Sequence, residues 1–126
     1  MQPPVKHRVL VVEDELIIAM DIECLLRELG HEVVGHASSG EQAIELVDQL
    51  RPDLVLMDVH LAGEMDGISA AQAIRARANI ACIFLSAFND GENVERSKAA
   101  RPAGYLAKPF EEHDLRVVLD RAFASD

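Results

Sequence analysis

Leu54-Val55-Leu56-Met57-Asp58 is an unbroken apolar run that stops on a carboxylate. Pro52-Asp53 introduces it and the loop Val59-His60-Leu61-Ala62-Gly63-Glu64-Met65-Asp66-Gly67 follows it. A run of this length reads as a strand buried on both faces, the pattern of a parallel sheet. Its last residue then lies at the carboxyl edge of the sheet, where open α/β folds place their ligand sites. A lone Asp there is ordinarily a turn residue or a helix cap. Two other apolar runs end in the same manner: Val9-Leu10-Val11-Val12 before Glu13-Asp14, and Ile80-Ala81-Cys82-Ile83-Phe84-Leu85 before Ser86. Several polar groups would therefore collect at one edge.

Outward from that strand the chain alternates. His7 to Val12 is a β-branched run, and Glu15 to Leu29 carries Leu16, Ala19, Met20, Ile22, Leu25, Leu26 and Leu29 at helical spacing. Gly30 stops that helix as a left-handed C-cap does. Glu32 to His36 is a short strand. Ser38, three residues before Glu41, has the capping-box pattern and opens a helix with Ala43, Ile44, Leu46, Val47 and Leu50 on one face. Arg51-Pro52 ends it. Asp66 caps an alanine-rich third helix to about Arg77, and Asn89 or Asp90 caps a fourth through Ala99, closed by Arg101-Pro102. Ala103 to Ala107 is a fifth strand, and Phe110 to Phe123 a last amphipathic helix.

Five βα units require a parallel sheet with right-handed crossovers and helices on both faces. The length of 126 residues fits one domain, residues 1–126, with the flavodoxin-like strand order 2-1-3-4-5 and five helices. Glu13-Asp14-Glu15 occupies the place of a glycine-rich phosphate loop, and its charge argues against a bound nucleotide.

Composition narrows the function classes. Apolar residues make up 49% and charged residues 27%, as in a globular protein. The net charge of −10, from 12 basic and 22 acidic side chains, argues against direct nucleic-acid binding, which draws on Lys and Arg. No apolar run approaches the roughly 18 residues of a membrane span, and Met1-Gln2-Pro3-Pro4 lacks a signal-peptide core. A cytoplasmic protein without a membrane partner is expected. Cys24 and Cys82 lack metal spacing and sit in apolar patterns, so both are expected as buried free thiols.

In the order 2-1-3-4-5 the first and third strands are neighbours, so Glu13, Asp14 and Asp58 converge. Clustered carboxylates repel one another unless a cation enters, and Mg²⁺ with carboxylates, water and a phosphoryl oxygen suits such a set. Asp14 also admits a reading as the N-cap of the first helix, and Glu15 reads as a solvated first-turn acid. Lys108, after the fifth strand, can bring an ammonium to Asp58, and Ser86 can donate a hydroxyl hydrogen bond. A carboxylate nucleophile, a divalent ion, a positive charge and a hydroxyl donor are the parts of phosphoryl transfer. His7, His31, His36 and His113 are scattered and read as solvated or edge side chains, and the imidazole of His60 reads as loop surface.

Taken together, Glu13-Asp14, the strand ending at Asp58, Met65-Asp66-Gly67, Ser86-Ala87, Tyr105 and Lys108-Pro109 resemble the receiver domain of two-component response regulators, of the chemotaxis-receiver type, over essentially the whole chain. The resemblance implies that Asp58 accepts a phosphoryl group from a sensor histidine kinase or a histidine phosphotransfer protein. It implies Mg²⁺ held by Glu13, Asp14, Asp58 and the backbone carbonyl of His60. Ser86 would bond the phosphoryl group and Lys108 would pair with it. Tyr105 would turn inward as a switch, and Lys108-Pro109 would be a cis peptide. Phosphorylation would then shift the surface of the fourth strand, fourth helix and fifth strand toward a downstream protein target.

Such a chain is a regulatory phosphoacceptor rather than an enzyme, a monomer or a phosphorylation-dependent dimer. It would stand alone or form part of a larger regulator or hybrid kinase. Ala62 and Gly63 replace a proline common in the family, in a loop one residue longer, and Glu13 stands where aspartate is frequent. His60 and Phe88 occupy positions that affect phosphate lifetime in the family, and a small polar residue in place of Phe88 is expected to speed dephosphorylation. Two other classes compete: an unphosphorylated pseudo-receiver that only binds partners, and an aspartyl-phosphate phosphohydrolase. The latter resembles Asp-x-Asp after a first strand with a cap insertion, which this chain lacks.

Overall fold

The apolar runs form strands and the periodic segments between them form helices. The computed structural model describes residues 6–61, 63–87 and 95–123. In chain order the elements are β1 (Arg8–Val12), α1 (Leu16–Glu28), β2 (Glu32–Ala37), α2 (Gly40–Leu50), β3 (Leu54–Asp58), α3 (Gly67–Arg77) and β4 (Ala81–Ala87). Then come α4, described over residues 95–97 and running into a 3₁₀ turn at Lys98–Ala100, β5 (Gly104–Lys108) and α5 (Glu112–Phe123). The expected caps of the fourth helix, Asn89 and Asp90, lie outside the described residues, as do Ala62 and Phe88.

All four strand pairings are parallel and the order is β2-β1-β3-β4-β5, as the βα alternation requires. Successive side chains on a strand point to opposite faces, and the core divides accordingly. Leu10, Val12, Val55, Met57 and Phe84 pack beneath α2 and α3. Val9, Val11, Leu54, Leu56, Ile83 and Leu85 pack beneath α1 and α5. Every residue of β3 is buried, so it is the central plank of both layers. Each fully buried Leu, Ile or Val contributes roughly 1.5–3 kcal/mol.

Local signals set the helix ends with small corrections. Gly30 takes φ +91 and donates its N–H to the Arg27 carbonyl, the expected left-handed stop. The N-cap of α2 is Ser39 rather than Ser38: its hydroxyl accepts from the Gln42 N–H at 3.2 Å, and Ser38 instead donates its N–H to the Gln42 side chain. Arg51 and Arg101, each before a proline, take φ 47 and 50. Proline disfavours a right-handed helical residue before it, and these two arginines leave the helical region on the left-handed side. Asp66 caps α3 by accepting from the Ser69 N–H at 2.8 Å, as its position predicts.

Two expectations about burial fail. Cys24 is exposed, whereas Cys82 is half-buried and its thiol is pushed up to about 12 by burial. On α1 only Ala19, Ile22 and Leu26 are buried, while Leu16, Ile17 and Met20 stand in solvent. Leu16 to Met20 are five consecutive apolar residues, and a helix packed on a flat sheet buries only one arc of them. At the opposite edge His7 stacks on Phe123, ring centroids 3.6 Å apart, and donates its N–H to His31 Nδ1 at 3.2 Å.

Candidate functional site

The carboxyl ends of β1, β3, β4 and β5 meet at one edge, and the charged residues of the sequence meet there with them. Glu13 follows β1 and still belongs to the ladder, donating its N–H to the Ala37 carbonyl at 3.0 Å. Its side chain is 0% exposed. Asp58, the last residue of β3, is 5% exposed and pairs with Leu85 across the sheet. Carboxylate oxygens of Glu13, Asp14 and Asp58 all lie within 4.8 Å of one another. Asp14 does not cap α1. The N-cap position falls to Glu15, which makes no side-chain capping bond.

Lys108 closes the cluster. Its Nζ donates to Glu13 Oε1 at 2.6 Å and to Asp58 Oδ2 at 2.9 Å. The peptide to Pro109 is cis. The other oxygen of Asp58 accepts from the His60 N–H at 2.9 Å, and Glu13 Oε2 accepts from the Glu15 N–H at 3.3 Å. Asp58 is thus held from two sides, by the loop it begins and by the far edge strand. Among the described residues no buried side-chain nitrogen or oxygen lacks a partner.

The electrostatics follow from burial. Glu13 is held above its ordinary range by loss of water and then by the neighbouring Asp58, with Lys108 pulling the other way. For Lys108 burial opposes the charge, but the bonds to Glu13 and Asp58 prevail and raise its pKa above the ordinary 10.5. Three carboxylate side chains face one ammonium there, so full ionisation would leave an excess of negative charge. A divalent cation would offset such an excess, and oxygen-only ligands suit a hard ion.

The other candidates lie on β4, on β5 and in the loop after β3. Ser86, buried on β4, lies one position past the Asp58 partner Leu85 and opposite Ala107, next to Lys108. Tyr105 stands apart from the acids: it is 37% exposed, its ring is tilted against Phe84 at 6.1 Å, and its hydroxyl accepts from the buried Ser97 at 2.7 Å. His60 contributes its N–H, and its side chain is exposed.

Three features escaped the sequence. His36, read there as an edge residue, meets the Glu13 carbonyl at 2.8 Å through Nε2, and no periodicity signals such a contact. Gly67 lies so close to the Asp58 carbonyl that any Cβ would overlap it. The exposed apolar residues Ile17 and Met20 line a groove of about 710 Å³ together with Lys108, Pro109 and Phe110. Five apolar residues in a row were the available sign of the groove.

Comparison with known proteins bears on this arrangement. The profile of the response regulator receiver domain matches residues 9–120. The chain is 42% identical over 118 residues to the transcriptional regulatory protein PdtaR of Mycobacterium tuberculosis, which covers 94% of this chain and 57% of that protein. The chain thus spans little more than half the length of that regulator. It is 38% identical over 108 residues to the chemotaxis protein CheY of Bacillus subtilis, covering 83% of this chain and 88% of that one. The receiver domain of the sensor histidine kinase PA1611 from Pseudomonas aeruginosa was solved with a magnesium ion coordinated in its active site cleft. It superposes with a TM-score of 0.84 at 34% identity, over 95% of this chain and 99% of that one.

Proposed function

Because the chain belongs to the response regulator receiver domain family, we propose that it is a switch in which Asp58 accepts a phosphoryl group from a histidine kinase or a histidine phosphotransfer protein. The observation that carries this is the single ammonium of Lys108 held between Glu13 and Asp58 at the mouth of the sheet. In the transfer a carboxylate oxygen of Asp58 attacks phosphorus. The O–P bond forms, the P–N bond of the donor phosphohistidine breaks, and the freed imidazole nitrogen keeps the electron pair and takes a proton. Lys108 then pairs with a phosphoryl oxygen, and the Ser86 hydroxyl donates to another. Positioning and charge neutralisation carry most of such a reaction.

Glu13, Asp14, Asp58 and the carbonyl of His60 would hold Mg²⁺, in keeping with the ion in the PA1611 receiver. When bound, the ion supplies positive charge for the phosphoryl oxygens and cancels the repulsion among the acids. The groove along α1, with Ile17 83% exposed, gives the donor protein a seat beside Lys108. Movement of Ser86 toward the phosphoryl group alters the contact of β4 with β5 and frees Tyr105 to turn from Ser97. The surface of β4, α4 and β5 is then the face a downstream protein reads.

Incubation with acetyl phosphate and Mg²⁺, read by intact mass, tests the proposal. A lasting single phosphate on the wild type and none on Asp58→Asn is the expected result. No adduct on either would make the chain an inert binding module, and rapid multiple turnover would make it a phosphohydrolase.

A further inference from the structure

His36, on the edge strand β2, reaches the residue that opens the acidic cluster. β2 pairs in parallel with β1, Val11 opposite His36 and Val12 opposite Ala37. The ladder takes one step more through the Glu13 N–H, bonded to the Ala37 carbonyl. A continuing parallel strand would next offer an N–H to the Glu13 carbonyl. Instead β2 ends, and the chain turns at Ser39 into α2. The half-buried imidazole of His36 takes up that carbonyl, with Nε2 2.8 Å from the oxygen. A carbonyl only accepts, so Nε2 carries the hydrogen.

The Glu13 carbonyl and the Asp14 N–H belong to one rigid peptide plane. Whatever holds the carbonyl fixes the direction in which Asp14 leaves the strand. Asp14 is exposed, and its carboxylate nonetheless lies within 4.8 Å of those of Glu13 and Asp58. We propose that His36 is a positioning residue for the cation site: its Nε2–H anchors the Glu13 carbonyl and so aims the Asp14 carboxylate at the ion. It touches neither ion nor phosphoryl group and acts through the plane between the two acids. The inference rests on the cation site proposed above.

Mg²⁺ titration calorimetry on the wild type, His36→Phe, His36→Gln and His36→Asn, with thermal melts in Mg²⁺-free buffer, tests it. Phe keeps the ring and removes the donor. The amide nitrogen of Gln reaches about as far as Nε2, and that of Asn stops short. Outer partners of metal ligands typically change affinity by about 10–100-fold, so His36→Phe is expected to bind Mg²⁺ on the order of 10-fold more weakly, at the lower end because it acts through one ligand. His36→Gln is expected to stay close to the wild type and His36→Asn to resemble Phe. Wild-type affinity in His36→Phe, or equal weakening in Gln and Phe, overturns the assignment. If His36→Phe fails to fold, the Gln and Asn pair decides: a difference supports the assignment and equality refutes it. A wild type that binds no Mg²⁺ removes the cation site and this inference together, whereas failure in the variants alone leaves that site standing.

Discussion

Replacing Gly67 with alanine asks how tightly the loop after β3 is closed over the acceptor strand. Gly67 opens α3, its φ lies outside the left-handed region, and its N–H bonds the Val59 carbonyl at 3.0 Å. A Cβ built there lands on the Asp58 carbonyl oxygen, 2.8 Å from the carbonyl carbon and 3.1 Å from Met57 Cγ. Carbon atoms settle at about 3.5–4.0 Å, so helix and strand must part by roughly an ångström. The obstacle is backbone in a fully buried strand, which yields less than a side chain. Overpacking of this kind costs about 1–3 kcal/mol, and straining the Val59 bond adds about 1 kcal/mol. Stiffening of the unfolded chain returns about 0.4–1 kcal/mol. The expected net loss is about 2–3 kcal/mol, read as a lower urea midpoint at unchanged slope. Gly63→Ala is the control: nothing lies within 4 Å of its Cβ, but φ is +99, so only conformational strain of about 1–2 kcal/mol applies. Because the displaced atom belongs to Asp58 itself, Gly67→Ala should also slow phosphorylation by acetyl phosphate, and Gly63→Ala should do so less. A Gly67→Ala protein within 1 kcal/mol of wild type, a bound set by ordinary surface changes of about 0.5 kcal/mol, would refute the steric argument.

Lys108→Met leaves Glu13 and Asp58 facing each other without a cation. Breaking a buried pair costs about 3–5 kcal/mol, and Glu13 can escape part of that by taking a proton, so a loss of about 2 kcal/mol is expected in Mg²⁺-free urea melts. Most of it should return at saturating Mg²⁺; an equal loss in both buffers counts against the shared-charge account. His31 titrates below its ordinary 6.5 because of burial and then the adjacent His7, with Asp120 opposing. Its neutral form is the one folding favours, and its Nδ1 accepts the His7 N–H. The contribution is therefore present above pH 6.5 and lost as pH falls through the lowered folded value. Urea midpoints between pH 7.5 and 5.5, roughly spanning that window, should fall less in His31→Asn than in wild type. Ile17→Lys, on an 83% exposed position, should leave stability and labelling by acetyl phosphate unchanged and slow transfer from a phosphorylated donor protein. Equal transfer rates would detach the groove from donor docking.

Much of the architecture was legible because strand and helix leave local periods. The run Leu54 to Asp58 and the alternating units around it were enough for five parallel strands in the order 2-1-3-4-5. Once that order is known, Glu13, Asp14, Asp58 and Lys108 must share an edge, since each follows or ends a strand running the same way. The helix stop at Gly30 and the cap at Asp66 were legible for the same reason, as backbone demands met by neighbouring residues.

What the folded chain alone decided involves distance in sequence and arc on a helix. Lys108 bonds Glu13 across 95 positions and Asp58 across 50, and His36 meets Glu13 across 23. No local pattern carries the length of those reaches, because they depend on how far β1, β3 and β5 are splayed by the twisted sheet. The burial of Glu13 beside an exposed Asp14, and the exposure of Leu16, Met20 and Cys24, likewise depend on which side of each residue a neighbour packs. Hydrophobic period says that a face will be covered; only the packed partner determines where the cover stops.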